Sequence, residues 1–329
     1  MSNKVLVTGA DGLLGSNLVR ELIEQNFSVR ALIQPGSKSP TLENLAVEKI
    51  IGDLLAEDDT LNKAGSGIDA IFHCAAITNM WAKPELVFQV NLEGTRKILD
   101  ACVAQKIKKL IFVGSASSFQ FGSMENPGDE SGSFPKAYQG MAYMESKHQA
   151  MNLVKEYVKN KGLDAVTVMP TFMLGPYDFG PSSGELIRQF IKRKMRYVSP
   201  GGRNFVYVKD AAKAMVSALS KGRAGEAYIL AGKNLTYLDF FSQVAKIAGL
   251  NPPKAELPGF LVVLAGAAGS AWGKISGKPA QLNLKISKMA CLGTYYRPAK
   301  AVKELGMPQS PIEQTIEESF KSLKDYGHL

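Results

Sequence analysis

The run Tyr143-Met144-Glu145-Ser146-Lys147 points most directly to chemistry, because it pairs a phenol with an ammonium at a separation of four residues. On a helix that separation puts both side chains on one face. A tyrosine that titrates near 10 is a poor acid-base catalyst at neutral pH, and lowering it by about 3 units takes about 4 kcal/mol of preferential phenolate stabilisation. An adjacent cation can supply much of that. Upstream, Val113-Gly114-Ser115-Ala116-Ser117-Ser118-Phe119 sets three hydroxyls just after an apolar run. Taken alone, serines there are ordinary turn residues. Beside the Tyr-Lys pair, one of them becomes a candidate to hydrogen-bond a substrate carbonyl while Tyr143 moves a proton.

A second constellation is Thr8-Gly9-Ala10-Asp11-Gly12-Leu13-Leu14-Gly15, which follows the apolar run Val5-Leu6-Val7 and opens a helical pattern. Strand, glycine turn and helix in that order form a dinucleotide site. Gly9 permits the turn, Gly12 lets backbone approach a pyrophosphate, Gly15 allows close helix packing, and the helix N-terminus faces the phosphates. With a nicotinamide dinucleotide as cofactor, the oxidised ring becomes a second cation near the phenol, and Lys147 can also hold the nicotinamide ribose. The end of the second strand, Ala31-Leu32-Ile33-Gln34-Pro35-Gly36-Ser37-Lys38, carries no acid that would repel a 2′-phosphate, while Arg30, Ser37 and Lys38 offer donors. This favours NADP over NAD, with Gln34 at the discriminating position. Asp53, before Leu54, is placed either to accept from the adenine amino group or to cap the next helix. In His73-Cys74-Ala75-Ala76 the small residues let backbone pass close to the cofactor, and His73 reads as a packed strand-end residue rather than a base. Asn91 sits in a helical pattern where Asn is unfavourable, so it serves either a structural hydrogen bond or a water relay to Lys147.

Elements that position these residues follow from periodicity. β-branched runs near Val5-Thr8, Val29-Ile33, Val47-Ile51, Ala70-His73, Leu110-Gly114 and Ala165-Met169 alternate with helical patterns near Leu13-Gln25, Pro84-Gln105 and Met141-Lys161. Such alternation predicts an α/β fold, a Rossmann doubly wound parallel sheet. Beyond Pro170, breakers punctuate Gly175-Gly184, a basic helix follows at Glu185-Lys194, and strand-like sequence returns at Phe205-Val208 and Ala227-Ala231. The expected division is a cofactor domain of 1–177 plus 205–234 and a smaller, mainly helical substrate lobe of 178–204 plus 235–329, with the site in the cleft between them.

A chain of 329 residues with 45% hydrophobic content buries a large core. Its formal charge of +9 is spread out, with clusters only at Lys106-Lys109 and Arg188-Arg196, which reads as a solvated basic face and not as a nucleic-acid site. Cys74, Cys102 and Cys291 form neither a disulfide framework nor a C-x-x-C pair, so no metal is expected and a reducing cytoplasm fits. No leader is expected before the first strand, and the apolar stretch from Gly259 to Trp272 has 14 residues against the roughly 20 a spanning helix needs. The expected partner is a small-molecule substrate, with a homodimer as the candidate assembly.

Taken together, the T-G-x-x-G-x-x-G run, Asp53, His73-Ala76, the Asn91-Thr95 segment, Tyr143 and Lys147, Met169-Pro170-Thr171-Phe172-Met173-Leu174-Gly175-Pro176 and Phe205-Asp210 resemble the extended short-chain dehydrogenases, the NAD-dependent epimerase/dehydratase family. Within it, Ala75-Ala76 before Met80-Trp81, and Gly225-Gly232 before Leu235-Thr236, are most similar to the dihydroflavonol 4-reductase and 3β-hydroxysteroid dehydrogenase branch. The resemblance implies hydride chemistry on a hydrophobic ketone or alcohol. It selects Ser117, five residues before Gly122, over Ser115 and Ser118 as catalytic, and makes Pro170 the proline that packs on the nicotinamide. Expected cofactor contacts therefore run through Gly9, Asp11, Gly12, Leu13, Leu14, Gln34, Lys38, Asp53, Leu54, Cys74, Ala75, Ala76, Asn91, Tyr143, Lys147, Pro170, Phe172 and Met173. Met80, Trp81, Phe119, Phe121, Tyr138, Phe172, Met173 and Tyr177 are candidate pocket residues. Two further readings stand beside the reductase. Arg203 resembles the arginine that grips a nucleotide diphosphate in sugar epimerases, and relatives that keep cofactor without chemistry allow a non-catalytic binding protein.

Overall fold

The computed structural model describes residues 3–276 and 283–329. In chain order its strands are β1 (Lys4–Thr8), β2 (Ser28–Ile33), β3 (Val47–Ile51), β4 (Ala70–His73), β5 (Lys109–Val113), β6 (Ala165–Pro170), β7 (Phe172–Leu174), β8 (Tyr197–Val198), β9 (Gly202–Tyr207), β10 (Ala227–Leu230), β11 (Lys233–Thr236), β12 (Ala255–Glu256) and β13 (Gly293–Thr294). The helices are α1 (Leu13–Glu24), α2 (Thr60–Gly65), α3 (Pro84–Phe88), α4 (Gly94–Ala104), α5 (Ala142–Lys161), α6 (Gly184–Arg193), α7 (Val208–Lys221), α8 (Tyr237–Ala248), α9 (Gly259–Ser276), α10 (Leu284–Ala290) and α11 (Ile312–Asp325).

Seven strands form one parallel sheet in the order β10-β6-β5-β4-β1-β2-β3. Apolar residues fill both faces of its central strands because helices cover both. Alternation divides β1 cleanly: Val5 and Val7 join Leu14 and Leu18 of α1 and Met215 of α7 in one core, while Leu6 joins Ile98 of α4 and Met151 and Val154 of α5 in the other. The order reverses between β1 and β4, and ligands of such folds bind outside the carboxyl ends of the strands at that reversal. The helix expected over Pro84–Gln105 is interrupted by a π segment at Gln89–Glu93, which joins α3 to α4. α2 falls in a stretch with no marked periodicity in the sequence.

The stretch 205–234, grouped with the cofactor domain in the expected division, divides between two sheets. α7 packs beside α1 and β10 extends the large sheet. β9, however, pairs with β11, β13 and β7 in a second sheet. Phe205 of β9 stacks on Phe240 of α8 with centroids 4.0 Å apart, and this contact anchors a third core shared with α6 and α11. A second tie crosses the cleft, where Tyr296 Oη donates to the Phe119 carbonyl at 3.1 Å and Gly122 N donates to the Tyr295 carbonyl at 3.1 Å. The small lobe is thereby fastened to the loop that follows β5.

Candidate active site

Three glycines of the first turn do different work. Gly9 has φ 64°, and a Cβ there would lie 2.7 Å from Ala75 N. A Cβ on Gly15 would lie 2.0 Å from the Gly9 carbonyl oxygen. Both are required by the protein itself. Gly12 is different, since a Cβ on it would meet only the Gly9 carbonyl oxygen, at 3.5 Å. Gly12 is also the extended residue that starts α1, with no side-chain cap and no acid in the first turn. The first-turn amides therefore have no partner within the helix and face outward with the positive end of its dipole. A bare backbone at the mouth and an uncapped helix end fit a dinucleotide pyrophosphate, with Leu13 and Leu14 carrying the amides.

At the end of β2, Gln34 and Lys38 are exposed. Arg30 is not available there, which corrects the reading of it as a nearby donor. It is 7% exposed and donates to the carbonyls of Ala64 and Ser66 at 2.8 Å each, with Glu48 2.9 Å away. The opening instead receives an acid from the glycine turn: the Asp11 carboxylate accepts from the Ser37 hydroxyl in a very short contact and from Ser39 Oγ at 3.4 Å. Asp53 caps its own turn, its Oδ1 accepting from Leu55 N at 2.8 Å. Leu54 packs against Gly94, where a Cβ would lie 2.7 Å from its side chain. His73 is buried between Thr8 Oγ1 at 2.7 Å and Thr95 Oγ1 at 3.2 Å. Burial, reinforced by the Lys147 charge, holds its ring near a pKa of about 3, so it is the packed strand-end residue that its position suggested. Burial likewise pushes the Cys74 thiol to about 12, against the pull of Lys147. Ala75 N donates to Thr8 Oγ1 at 3.2 Å, and Ala76 continues the same backbone past the turn.

Asn91 lies in the π segment and is fully buried. Its Oδ1 accepts from Ile77 N at 2.8 Å, and its Nδ2 donates to the Ile77 carbonyl at 3.0 Å and to Ser146 Oγ at 3.1 Å. Of the two roles open to it, the described contacts are the structural one. It ties the loop after β4 to the residue preceding Lys147.

Tyr143 stands in the first turn of α5 and Lys147 one turn later. Lys147 is 2% exposed, and its Nζ donates to the Val113 carbonyl at 2.8 Å. Burial pulls its pKa to about 8, with Cys74 acting in the opposite sense. Burial raises the Tyr143 phenol above its ordinary range, and a hydrogen bond with the Ser115 side chain pulls part of the way back. Ser117, the serine expected to be catalytic, and Ser115 are linked, their Oγ atoms 2.8 Å apart, with Ser115 the extended N-cap of a short turn at Ala116–Ser118 that accepts from Ser117 N.

Beside Lys147 and the serines, apolar side chains pack near Tyr143. Tyr138, Met141 and Met144 form a small core with Phe121, Phe134 and Met289. Phe121 also lines an open groove of ≈ 550 Å³ toward Met124, Pro200 and Tyr295. Of the other candidate pocket residues, Phe172 is half-buried against Phe205, Met173 packs on the large core, and Pro170 ends β6 opposite Leu230. Met80 and Trp81 are exposed and Phe119 is core. Tyr177 lies outside the cleft, with the Arg20 guanidinium 3.5 Å above its ring. Arg203 donates from Nε to Tyr237 Oη at 2.9 Å and covers the Phe172 ring at 4.7 Å. Met141 and Met289 went unnoticed in the sequence, and Met289 carries no local signal because only tertiary packing of α10 brings it near Tyr143.

Residues 5–231 match the NAD-dependent epimerase/dehydratase family. A Synechocystis sp. protein provisionally named a dihydroflavonol 4-reductase is 31% identical, with 100% of this chain and 97% of that protein aligned. The solved structure of gox2253 superposes with a TM-score of 0.88 at 29% identity, covering 99% of each chain. UDP-glucuronic acid 4-epimerase from Bacillus cereus, in complex with UDP-glucuronic acid and NAD, shares the fold with a TM-score of 0.76 at 23% identity, covering 98% of this chain and 99% of that one.

Proposed function

The chain belongs to the NAD-dependent epimerase/dehydratase family, and from that premise we propose that it is a reductase or dehydrogenase interconverting a ketone and an alcohol on an apolar small molecule. The observation that carries this reading is the apolar surround of Tyr143, built from Phe121, Tyr138, Met141, Met144 and Met289. Tyr143 donates the proton to the carbonyl oxygen, with Ser115 and Ser117 as linked hydroxyls that orient it. Lys147 holds the positive charge that eases the phenol's loss of its proton, and Val113 fixes the lysine. A bound nicotinamide supplies hydride in reduction and accepts it in oxidation. Leu13 and Leu14 would hold its pyrophosphate by their amides, Ala75, Ala76 and Pro170 would border it, and the second oxygen of Asp53 would be left for the adenine.

The glycine turn gives a separable test. Gly15→Ala forces backbone apart and should cost about 2–3 kcal/mol of stability, in the range of overpacked sites. Gly12→Ala should leave the melting temperature within about 1 °C, as expected of a change that creates no clash in the folded chain, yet weaken cofactor about tenfold or more by displacing the pyrophosphate. Equal cofactor affinity in the Gly12 variant contradicts the placement.

The preference for NADP over NAD rests on Lys38, Ser37 and Gln34, with Asp11 opposing it. Calorimetric titration should give tighter binding of NADP, and Asp11→Asn should widen the ratio about tenfold by removing a like charge from the 2′-phosphate. Tighter NAD binding in the native chain reverses the preference.

A nucleotide-sugar reading is favoured by Arg203 at the lobe junction. It predicts that millimolar UDP, GDP or dTDP stabilises the protein by about 4 kcal/mol if bound with micromolar affinity. For the ketone enzyme, with Arg203 held on Tyr237 and Phe172, no thermal shift is expected. A clear shift abolished by Arg203→Ala favours the sugar enzyme.

A further inference from the structure

We propose that the outward face of α9 docks on an anionic lipid surface, with the helix lying in the headgroup region. Gly259 to Gly273 contains no charged residue, and a helix apolar all round is normally buried. This one is not. Phe260, Leu264 and Trp272 are 71%, 64% and 68% exposed, Leu261 is 42% exposed, and Ala265, Ala268 and Ala271 are exposed beside them. The spacing of 260, 264, 268 and 272 makes one continuous stripe along the helix. The opposite side is firmly seated: Val262 is 8% exposed, and a Cβ on Gly266 would lie 2.0 Å from Ser287 Oγ of α10. A continuous exposed apolar stripe marks an interaction face.

The charge around the stripe selects the occupant. Exposed Arg196 and Lys254 adjoin its N-terminal end, where Lys254 N donates to the Arg196 carbonyl at 2.8 Å. On α10, Lys288 is exposed, as is Lys285, whose Nζ donates to the Gly140 carbonyl at 3.0 Å. Between 251 and 292 the sequence has five lysines and one acid, Glu256. An apolar face with bulky aromatic and aliphatic side chains and a basic rim is what a helix lying in an anionic interface presents. An isologous contact with a second copy would bring the two basic rims together. No helix among the described residues is long and apolar enough to cross a membrane, so the mode is surface attachment. α10, on which α9 is seated, carries Met289 into the cluster at Tyr143.

The test is co-sedimentation of the full chain with phosphatidylcholine vesicles, with and without phosphatidylglycerol, in the absence of any substrate, so that its failure is separate from failure of the proposed reaction. Binding to the anionic vesicles is expected, weakened by molar salt through screening. Phe260→Ser, Leu264→Ser and Trp272→Ser together should lower the bound fraction about tenfold or more, while the stabilisation by cofactor stays that of the native chain. In Trp81→Phe, Trp272 is the sole tryptophan, and its emission should move to the blue on vesicle addition and be quenched by brominated lipid. Native chain left in the supernatant, a triple variant that still sediments, or a lipid-independent dimer that the triple substitution dissolves would each overturn the proposal, the last in favour of a second copy.

Discussion

Tyr143→Phe is expected to reduce turnover by about 100-fold or more, as loss of a general acid does, while cofactor affinity and melting temperature stay close to those of the native enzyme. The ring keeps its place beside Met144 and Phe134, and only the hydroxyl is lost. Ser115 Oγ retains Ser117 Oγ at 2.8 Å, so the deletion strands no buried donor. The result bears directly on mechanism because burial raises the phenol above its ordinary range. Catalysis by Tyr143 therefore needs charge from Lys147 and from bound oxidised nicotinamide to favour the phenolate. A companion measurement separates the serines. Ser115→Ala removes the hydroxyl whose hydrogen bonding draws the Tyr143 phenol downward and should lower turnover more than Ser117→Ala, and the reverse order would favour the serine selected by family resemblance. Turnover of Tyr143→Phe near the native value would remove the phenol from the reaction.

Lys147→Met should produce a protein that is more stable and nearly inactive. The folded-state value of Lys147, about 8, lies below its ordinary 10.5. Between those values the unfolded chain holds a proton that the folded chain has lost, so stability rises with pH across that window. Below about pH 8 both states are protonated, and the folded enzyme carries the full cost of a buried ammonium, on the order of 3 kcal/mol for a shift of that size. Methionine fills similar space without charge. Leaving the Val113 carbonyl without its donor costs about 1–2 kcal/mol. The net expectation at pH 7 is a gain of about 1–2 kcal/mol, read as a melting temperature a few degrees higher, that fades as pH approaches 10.5. Turnover should drop about 100-fold. In the native enzyme, kcat/KM should fall as pH rises through about 8 with loss of the ammonium, and Lys147→Arg should shift that limb upward. A less stable Lys147→Met at pH 7 would show that the ammonium is better solvated than its burial implies.

What the sequence made legible was what local rules specify. Gly9 and Gly15 stand where a Cβ would strike backbone, so strand, turn and helix could be placed to within a residue or two. Tyr143 and Lys147 share a face because helical periodicity requires it. Other features depend on the chain's return through space. Phe205 belongs to a strand by composition, yet its partners Phe172 and Phe240 lie in segments whose docking no local pattern encodes. Arg30 looked available beside the second strand because nothing near it in sequence reveals the α2 carbonyls that hold it. Ser115 and Ser117 are chemically alike, and only the turn at Ala116–Ser118 brings their hydroxyls together. Asn91 illustrates the intermediate case: its unfavourable position in a helix signalled a role, and the partners Ile77 and Ser146 came from tertiary structure.

The central claim is that this chain moves hydride between a nicotinamide and the carbonyl carbon of an apolar substrate, with Tyr143 handling the proton. It is tested most directly by incubating the native chain and Tyr143→Phe with cofactor deuterated at its reactive position and a panel of apolar ketones, then locating the label by mass spectrometry. Deuterium on the alcohol carbon, formed by the native chain and reduced about 100-fold or more in the variant, is the predicted result. Absence of labelled alcohol from every ketone, with epimerisation of a nucleotide sugar under the same conditions, would contradict it.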